Sequence, residues 1–397
     1  MRICLVYDCL FPHTVGGAER WYRNLAERLV REGHEVTYLT LRQWPRGAQP
    51  DIDARVRVVI AGPQMSLYAG PRRRIVPPLV FGAGVLAHLL RHGRDYDVVH
   101  TCAFPYFSLL AAALARPRGR YRLVVDWFEV WSDDYWRSYL GAIGGRAGVL
   151  VQRLCARIRQ RAFCFSELHA GRLREAGLRG EATVLRGLYA DDGGTSGGSS
   201  GGLDKPAEAE SLVLFAGRMI PEKRAPLGVA GVALACERIP GLKGVFFGDG
   251  PQRADVLAEI AARGAGASIE APGFVASERI DATLRRALCM LLPSSREGYG
   301  MVVVEAAACG TPSIVIVGED NAATELVQDG VNGAIVQFAE PEAIAAAIER
   351  VHLAGAAMRR GTIAWFEENA ERLSLESSLE IVLVGYAEVG GRAQARS

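Results

Sequence analysis

Glu297 and Glu305 lie eight positions apart in SSREGYGMVVVEAAACGTP, residues 294–312. Two carboxylates at that spacing mean little alone; their surroundings carry the chemistry. Gly298 and Gly300 let backbone N–H groups approach a ligand closely, where a Cβ would stand in the way. Met301 to Cys309 reads as a helix whose N-terminus favours an anion through unpaired N–H groups and the helix dipole. Carboxylates beside an anion repel it, and instead accept hydrogen bonds from neutral hydroxyls. Phosphate beside polyol describes a nucleotide sugar. The competing reading is a surface glutamate with a helix-capping carboxylate.

Other stretches offer partners for this chemistry. GRMIPEKR (217–224) follows an apolar run and places Arg218 and Lys223 five residues apart around Pro221. A departing diphosphate gains negative charge as the sugar–oxygen bond breaks, and two fixed cations stabilise it without a metal; otherwise both are surface cations. FPHTVGGAER (11–20) sets Gly16 and Gly17 before a helical pattern, so backbone N–H groups can face a phosphate. It lacks the GxGxxG spacing of a dinucleotide loop, and a plain turn before a helix is the alternative. Glu325 in GEDNAATELVQDG reads equally as a ribose contact or a helix cap.

These loops need elements to hold them. At 397 residues the chain fits two domains. RICLVYD (2–8), HEVTYLTL (34–41), VRVVIAG (56–62), DVVHT (97–101) and RLVVDWF (122–128) read as strands separated by helical stretches. SLVLFAGR, GVFFGDG, SIEAPGF, CMLLPSS, PSIVIVG and GAIVQF repeat the pattern between 211 and 338. Such β–α–β alternation predicts two doubly wound parallel sheets with helices on both faces. Ligands then bind at strand carboxyl ends, where Asp8, His100 and Asp126 fall. The divisions are 1–190, a Gly/Ser-rich linker at 191–210, 211–360 and a helical segment at 361–397. GGTSGGSSGG (193–202) has the regularity of an engineered linker, and whether it is natural stays open.

Composition narrows the class. Charged residues at 23% and apolar ones at 49% describe a globular protein without a membrane-spanning run or signal peptide. The eight cysteines form no CxxC pair, which excludes a zinc site and points to free thiols in a reducing cytoplasm. Residues 1–190 hold 28 arginines against 16 acids, +12; the rest holds 18 basic against 28 acidic residues, −10. A basic first half suits anionic acceptors or an anionic membrane surface, or docking onto the acidic half. Arg72, Arg73 and Arg74, before an apolar helix, are the candidates for peripheral contact at the inner face of a membrane. A core helix with a solvated arginine turn is the plainer alternative.

Taken in order, these motifs resemble the retaining glycosyltransferases of family 4 (GT-B fold, glycosyl transferases group 1). The resemblance covers nearly the whole chain and is strongest over 211–336. It implies an α/β GT-B architecture of two Rossmann-like domains facing across a cleft, with the C-terminal helical segment packing back on the first. It implies sugar transfer from a nucleotide diphosphate sugar, such as a UDP- or GDP-sugar, to a hydroxyl acceptor in glycan biosynthesis. By the same resemblance Arg218, Lys223, Gly16 and Gly17 hold the diphosphate. Glu297 holds the sugar with Gly298, Tyr299, Gly300 and Met301. Glu305 holds the ribose, and Gly273, Phe274 and Val275 lie near the base. No cofactor is expected, no metal, and no nucleic acid partner.

LVVDWFEVWSDDYWRSYLG (123–141) departs from the pattern. Where the family carries a histidine near the reacting sugar, this chain has Phe128, which can neither accept a proton nor bind a hydroxyl. If the leaving phosphate takes the acceptor's proton, the missing histidine need not abolish activity. Asp126, Glu129 and His100 are then the catalytic candidates for orienting the acceptor, with Asp126 favoured. Trp127, Trp131, Tyr135 and Trp136 offer either a stacking surface for an acceptor sugar or core packing. Phe128 also motivates a rival, a catalytically silent nucleotide-sugar-binding subunit. An epimerase of the same fold is another, for which no acid–base pair is evident.

Overall fold

The computed structural model describes residues 1–45, 47–66, 68–69, 72–190 and 209–394, without the side chains of 68–69, 72–73 and 388–394. The expected linker therefore lies almost wholly outside the described residues. The chain divides into two compact units, Met1–Leu188 with Glu376–Ser397, and Tyr189–Leu375.

In the first unit, seven parallel strands run β1 (Arg2–Val6), β2 (Glu35–Leu41), β3 (Arg57–Gly62), β4 (Val98–Cys102), β5 (Arg122–Trp127), β6 (Arg161–Cys164) and β7 (Ala182–Val184). Their order across the sheet is β3-β2-β1-β4-β5-β6-β7. Strands as apolar as ICLV and VV alternate with helices α1 (Gly17–Arg31), α2 (Val76–His92), α3 (Phe107–Gly119), α4 (Asp133–Ala156) and α5 (Glu167–Glu175). The last two strands escaped the sequence reading, because RAFC and ATV are too short to show a period. Ile3 to Val6 are fully buried, as expected of a strand covered on both faces. Gly84 shows how closely α2 sits on β3, since a Cβ there would come 1.7 Å from the Ala61 carbonyl oxygen.

The second unit repeats the plan with six parallel strands in the order β10-β9-β8-β11-β13-β15. These are β8 (Leu212–Ala216), β9 (Lys243–Phe247), β10 (Ile269–Gly273), β11 (Cys289–Leu292), β13 (Ser313–Ile316) and β15 (Gly333–Val336); all six were expected from sequence. A two-residue pair, β12 (Arg296–Glu297) and β14 (Asp320–Asn321), stands apart from that sheet. Helices α6 (Ala225–Arg238), α7 (Arg253–Ala262), α8 (Ser277–Arg286), α9 (Met301–Ala308) and α10 (Pro341–Leu373) complete it. Each unit has its own core, one including Phe81, Val99 and Trp127, the other Phe215, Val229 and Phe246. Burying such side chains contributes roughly 1.5–3 kcal/mol each.

The expected tail at 361–397 needs a correction. Residues 361–375 stay with the second unit, and α11 (Leu375–Gln394) belongs to the first from Glu376 onward. There Ser378 Oγ accepts from the Gly187 N–H at 3.0 Å, and the Tyr386 carbonyl accepts from Arg122 at 2.7 Å. Among the described residues no helix is long and apolar enough to cross a membrane, and none of the eight cysteines is in a disulfide.

Candidate functional site

In both sheets the strand order reverses once, between β1 and β4 in the first and between β8 and β11 in the second. Loops leaving two strands at such a point diverge to opposite faces and leave a crevice at the carboxyl ends. In the second unit these loops carry Arg218 and Lys223 after β8, and Ser294 to Gly300 after β11.

The two loops are tied together. Ser295 N–H donates to the Glu222 carbonyl at 2.8 Å, and its hydroxyl donates to the same oxygen at 3.2 Å. Lys223, at the end of a single 3-10 turn (Pro221–Lys223), donates from Nζ to Glu297 Oε1. Ser294 Oγ donates to that same oxygen at 2.7 Å. Asn321 anchors the base of the loop, its amide donating to the Ser294 carbonyl at 3.0 Å and to the Ile316 carbonyl at 2.8 Å. Sequence reasoning missed Ser294 and Asn321, although both fall inside quoted motifs, because a small polar side chain carries no spacing signal. The Lys223 and Glu297 side chains are 19% and 11% exposed, so the pair is sheltered yet reachable.

Glu297 opens directly onto α9. Gly300 caps that helix at φ +104, and a Cβ there would meet Ala323 Cβ at 2.8 Å, so the turn requires glycine twice over. No side chain caps the first N–H groups of α9, which leaves them for an anion. Tyr299 is buried, Gly298 and Met301 are half-buried, and Glu305 lies half-buried in the second turn of α9. Arg218 is exposed beyond β8. The FGDG loop proves structural: Gly248, at φ +131, would place a Cβ 1.8 Å from the Gly217 oxygen, and Met219 N–H donates to the Asp249 carbonyl at 2.8 Å. At the end of β10, Gly273 sits at φ +95, Val275 is half-buried, and Phe274 is 76% exposed. Glu325 is exposed on a short 3-10 turn.

The first unit treats its candidates differently. Asp126, near the end of β5, and His100, in the middle of β4, are both 0% exposed. Asp126 Oδ2 accepts from Trp21 Nε1 at 2.7 Å, while its Oδ1 lies 2.8 Å from His100 Nε2, a contact rather than an aligned hydrogen bond. His100 Nδ1 meets the Tyr386 hydroxyl of α11 at 2.5 Å. Burial, and then the charge of Asp126, push that hydroxyl's pKa well above its usual value, so it stays protonated. Asp126 and His100, expected to orient an acceptor, are thus both fully enclosed. One oxygen of Asp126 is taken by Trp21 and one nitrogen of His100 by Tyr386, and both side chains lie inside a core that water does not reach. Glu129, half-buried, accepts from Trp131 Nε1 at 2.7 Å. Trp127, Trp131 and Trp136 are buried and Tyr135 half-buried, which decides for core packing over an open stacking surface. Phe128 stacks on Phe165 with centroids 4.4 Å apart.

Gly16 and Gly17 do head α1 without a side-chain cap, but a Cβ on Gly16 would come 2.3 Å from Glu19 Oε2. The first-turn carboxylate of α1 therefore lies against the glycine loop. Arg74 is exposed, whereas the side chains of Arg72 and Arg73 lie outside the described residues.

Comparison with known proteins agrees with this architecture. The model of the family described as Glycosyl transferases group 1 matches residues 204–361, and that of Glycosyltransferase Family 4 matches residues 15–186. A D-inositol 3-phosphate glycosyltransferase from Rhodococcus erythropolis is 29% identical over 94% of this chain and 86% of its own. The alpha-D-kanosaminyltransferase of Streptomyces kanamyceticus is 33% identical over 35% of this chain and 36% of its own. Among solved structures, sucrose-phosphate synthase from Thermosynechococcus elongatus superposes with TM-score 0.78 at 19% identity, over 98% of this chain and 99% of that one. Anabaena HepE in complex with UDP superposes with TM-score 0.72 at 18% identity, over 98% and 100%. Two reversing parallel sheets, the order of the loop motifs and both family matches converge: the chain belongs to the family 4 glycosyltransferases and is a glycosyltransferase of GT-B fold.

Proposed function

We propose that this glycosyltransferase moves a sugar from a nucleoside diphosphate to an acceptor hydroxyl with retention of anomeric configuration and without a metal. The observation that carries the reading is the contact of Lys223 with Glu297 at the uncapped head of α9. A cation and an acid held together there supply both halves of the recognition problem. On donor binding the diphosphate takes Lys223, Arg218 and the N–H groups of α9, and the released Glu297 accepts from sugar hydroxyls beside Gly298 to Met301. Glu305 accepts from the ribose. Gly273 to Val275 border the base, with the exposed ring of Phe274 offering a stacking face. Gly16 and Gly17 form a second phosphate-facing turn, from which the Glu19 carboxylate must swing away.

In the transfer, the bond between the anomeric carbon and the β-phosphate oxygen breaks, and the acceptor oxygen bonds to that carbon on the same face. The acceptor's proton passes to the departing phosphate oxygen, so Phe128 costs the step no base. Lys223 and Arg218 balance the negative charge that grows on the diphosphate. Of the three acceptor-side candidates, Glu129 alone keeps partial exposure.

The test is a thermal-shift panel of UDP-, GDP- and dTDP-sugars, followed by NMR of the product with excess EDTA present. The expected result is stabilisation by one nucleotide class, and a product whose anomeric configuration matches the donor's. An inverted anomer, or activity that EDTA removes and a divalent ion restores, overturns the reading.

A further inference from the structure

Helix α4 has a face that its own unit does not cover. Gly141, at φ +76, breaks it into two arms. The arms pack on each other through glycines: a Cβ on Gly145 would come 2.7 Å from Arg137 Cα, and one on Gly148 would come 2.3 Å from the Trp136 ring. The inner row of the second arm is thereby used. Its outer row is Ile143, Ala147, Leu150 and Leu154, spaced at i, i+4, i+7 and i+11 and so aligned on one side. All four are exposed, Ile143 at 86% and Leu150 at 69%, and Leu140 extends the row across the break.

The charges carried by the row's own segment have one sign. From Leu140 to Arg159 the chain carries Arg146, Arg153, Arg157 and Arg159 and no acidic side chain. All four arginines are exposed, and among the described residues only Arg153 meets an acid, Asp133 of the first arm at 3.3 Å. Arg116 of α3 adds to the patch, reaching the Arg159 carbonyl at 2.5 Å. A second copy of the chain placed on this row would set arginines against arginines. A bilayer carrying anionic headgroups meets both features at once, taking the aliphatic row at the acyl boundary and the guanidinium groups at the phosphates.

We propose that the outer face of α4 docks the enzyme on an anionic lipid surface. The face is distinct from the Arg72–Arg74 segment and from the donor-side residues, so the proposal stands apart from the assignment of donor and mechanism.

Co-sedimentation with vesicles of phosphatidylcholine containing a third phosphatidylglycerol, against pure phosphatidylcholine, tests it. The wild-type protein is expected to bind the anionic vesicles at least tenfold more tightly and to be released by high salt. Ile143→Glu with Leu150→Glu is expected to lower that binding at least tenfold without moving the thermal midpoint, since both side chains are already in water. Arg146→Glu with Arg157→Glu is expected to erase the preference for anionic vesicles. Wild-type protein that binds neither vesicle overturns the proposal. So does binding that survives Ile143→Glu with Leu150→Glu but is lost on charge reversal of Arg72–Arg74. Sedimentation velocity showing a dimer that Ile143→Glu dissociates would assign the face to a second copy instead.

Discussion

Two acid–base contacts occupy the same place in the two halves of this molecule, and they are built for opposite ends. Asp126 with His100 lies within the carboxyl half of one parallel sheet, and Glu297 with Lys223 just beyond the carboxyl ends of the other, both beside the strands where the order reverses. The first contact is sealed: Trp21, His100 and Tyr386 surround the carboxylate, and neither member is exposed. The second is partly open, and its acid is shared between a lysine and a serine at the head of an uncapped helix. Position in the topology therefore nominates a site; the remaining access to water decides whether the charges serve the fold or a ligand.

Breaking each contact separately tests this division. Lys223→Ala should lower turnover by about two to three orders of magnitude, about 3–4 kcal/mol at the transition state. Its unfolding free energy should change by about 1 kcal/mol or less, as for other partly exposed pairs. Steady-state kinetics beside urea melts measure both, and a large stability loss with normal turnover would reverse the comparison. Asp126→Ala should do the opposite, costing about 3 kcal/mol of stability because the buried Trp21 Nε1–H loses its acceptor and His100 its buried charge partner. The folded fraction of that variant should keep its turnover per molecule. If it instead folds normally and loses catalysis, the core assignment fails.

Smaller effects sharpen the picture. Gly300→Ala should cost about 1–2 kcal/mol, from the left-handed backbone and the crowding of Ala323, and should weaken donor binding with it. Differential scanning calorimetry and donor titration follow the two losses together. His88 offers an intermediate case, half-buried and hydrogen-bonded to the Tyr96 hydroxyl at 2.7 Å. Burial first, then His92 and Arg57, push its pKa from 6.5 down to about 4, against the pull of Asp95. The folded state therefore resists a proton that the unfolded chain accepts. Its contribution is complete above pH 6.5 and is lost as the pH falls from there towards about 4. His88→Gln should flatten the stability profile in that window, read by chemical denaturation at successive pH values; an unchanged slope would show that burial alone does not control titration here.

Much of this was legible in the chain. All six strands of the second sheet were read correctly, because each is a short, largely apolar run and five of them are closed by glycine or proline. The turn into α9 was legible for a related reason: Gly298, Gly300 and the run after them announce a tight turn feeding a helix. The first unit was harder. RAFC and ATV lack a detectable period, and the end of the second unit was placed fifteen residues early because α10 continues to Leu373 through a kink at Gly355.

The local order of residues thus determined where tight turns feed helix starts, since turn geometry depends on neighbours within a few positions. Whether a given carboxylate meets water depends on partners far along the chain. Asp126 is silenced by Trp21, 105 positions away, and His100 by Tyr386, 286 positions away. The outward row of α4 was likewise invisible until folding showed which of its faces the glycines use. Sequence carries periodicity and conformational preference, but only packing assigns burial, and burial is what sets the energy of a charge.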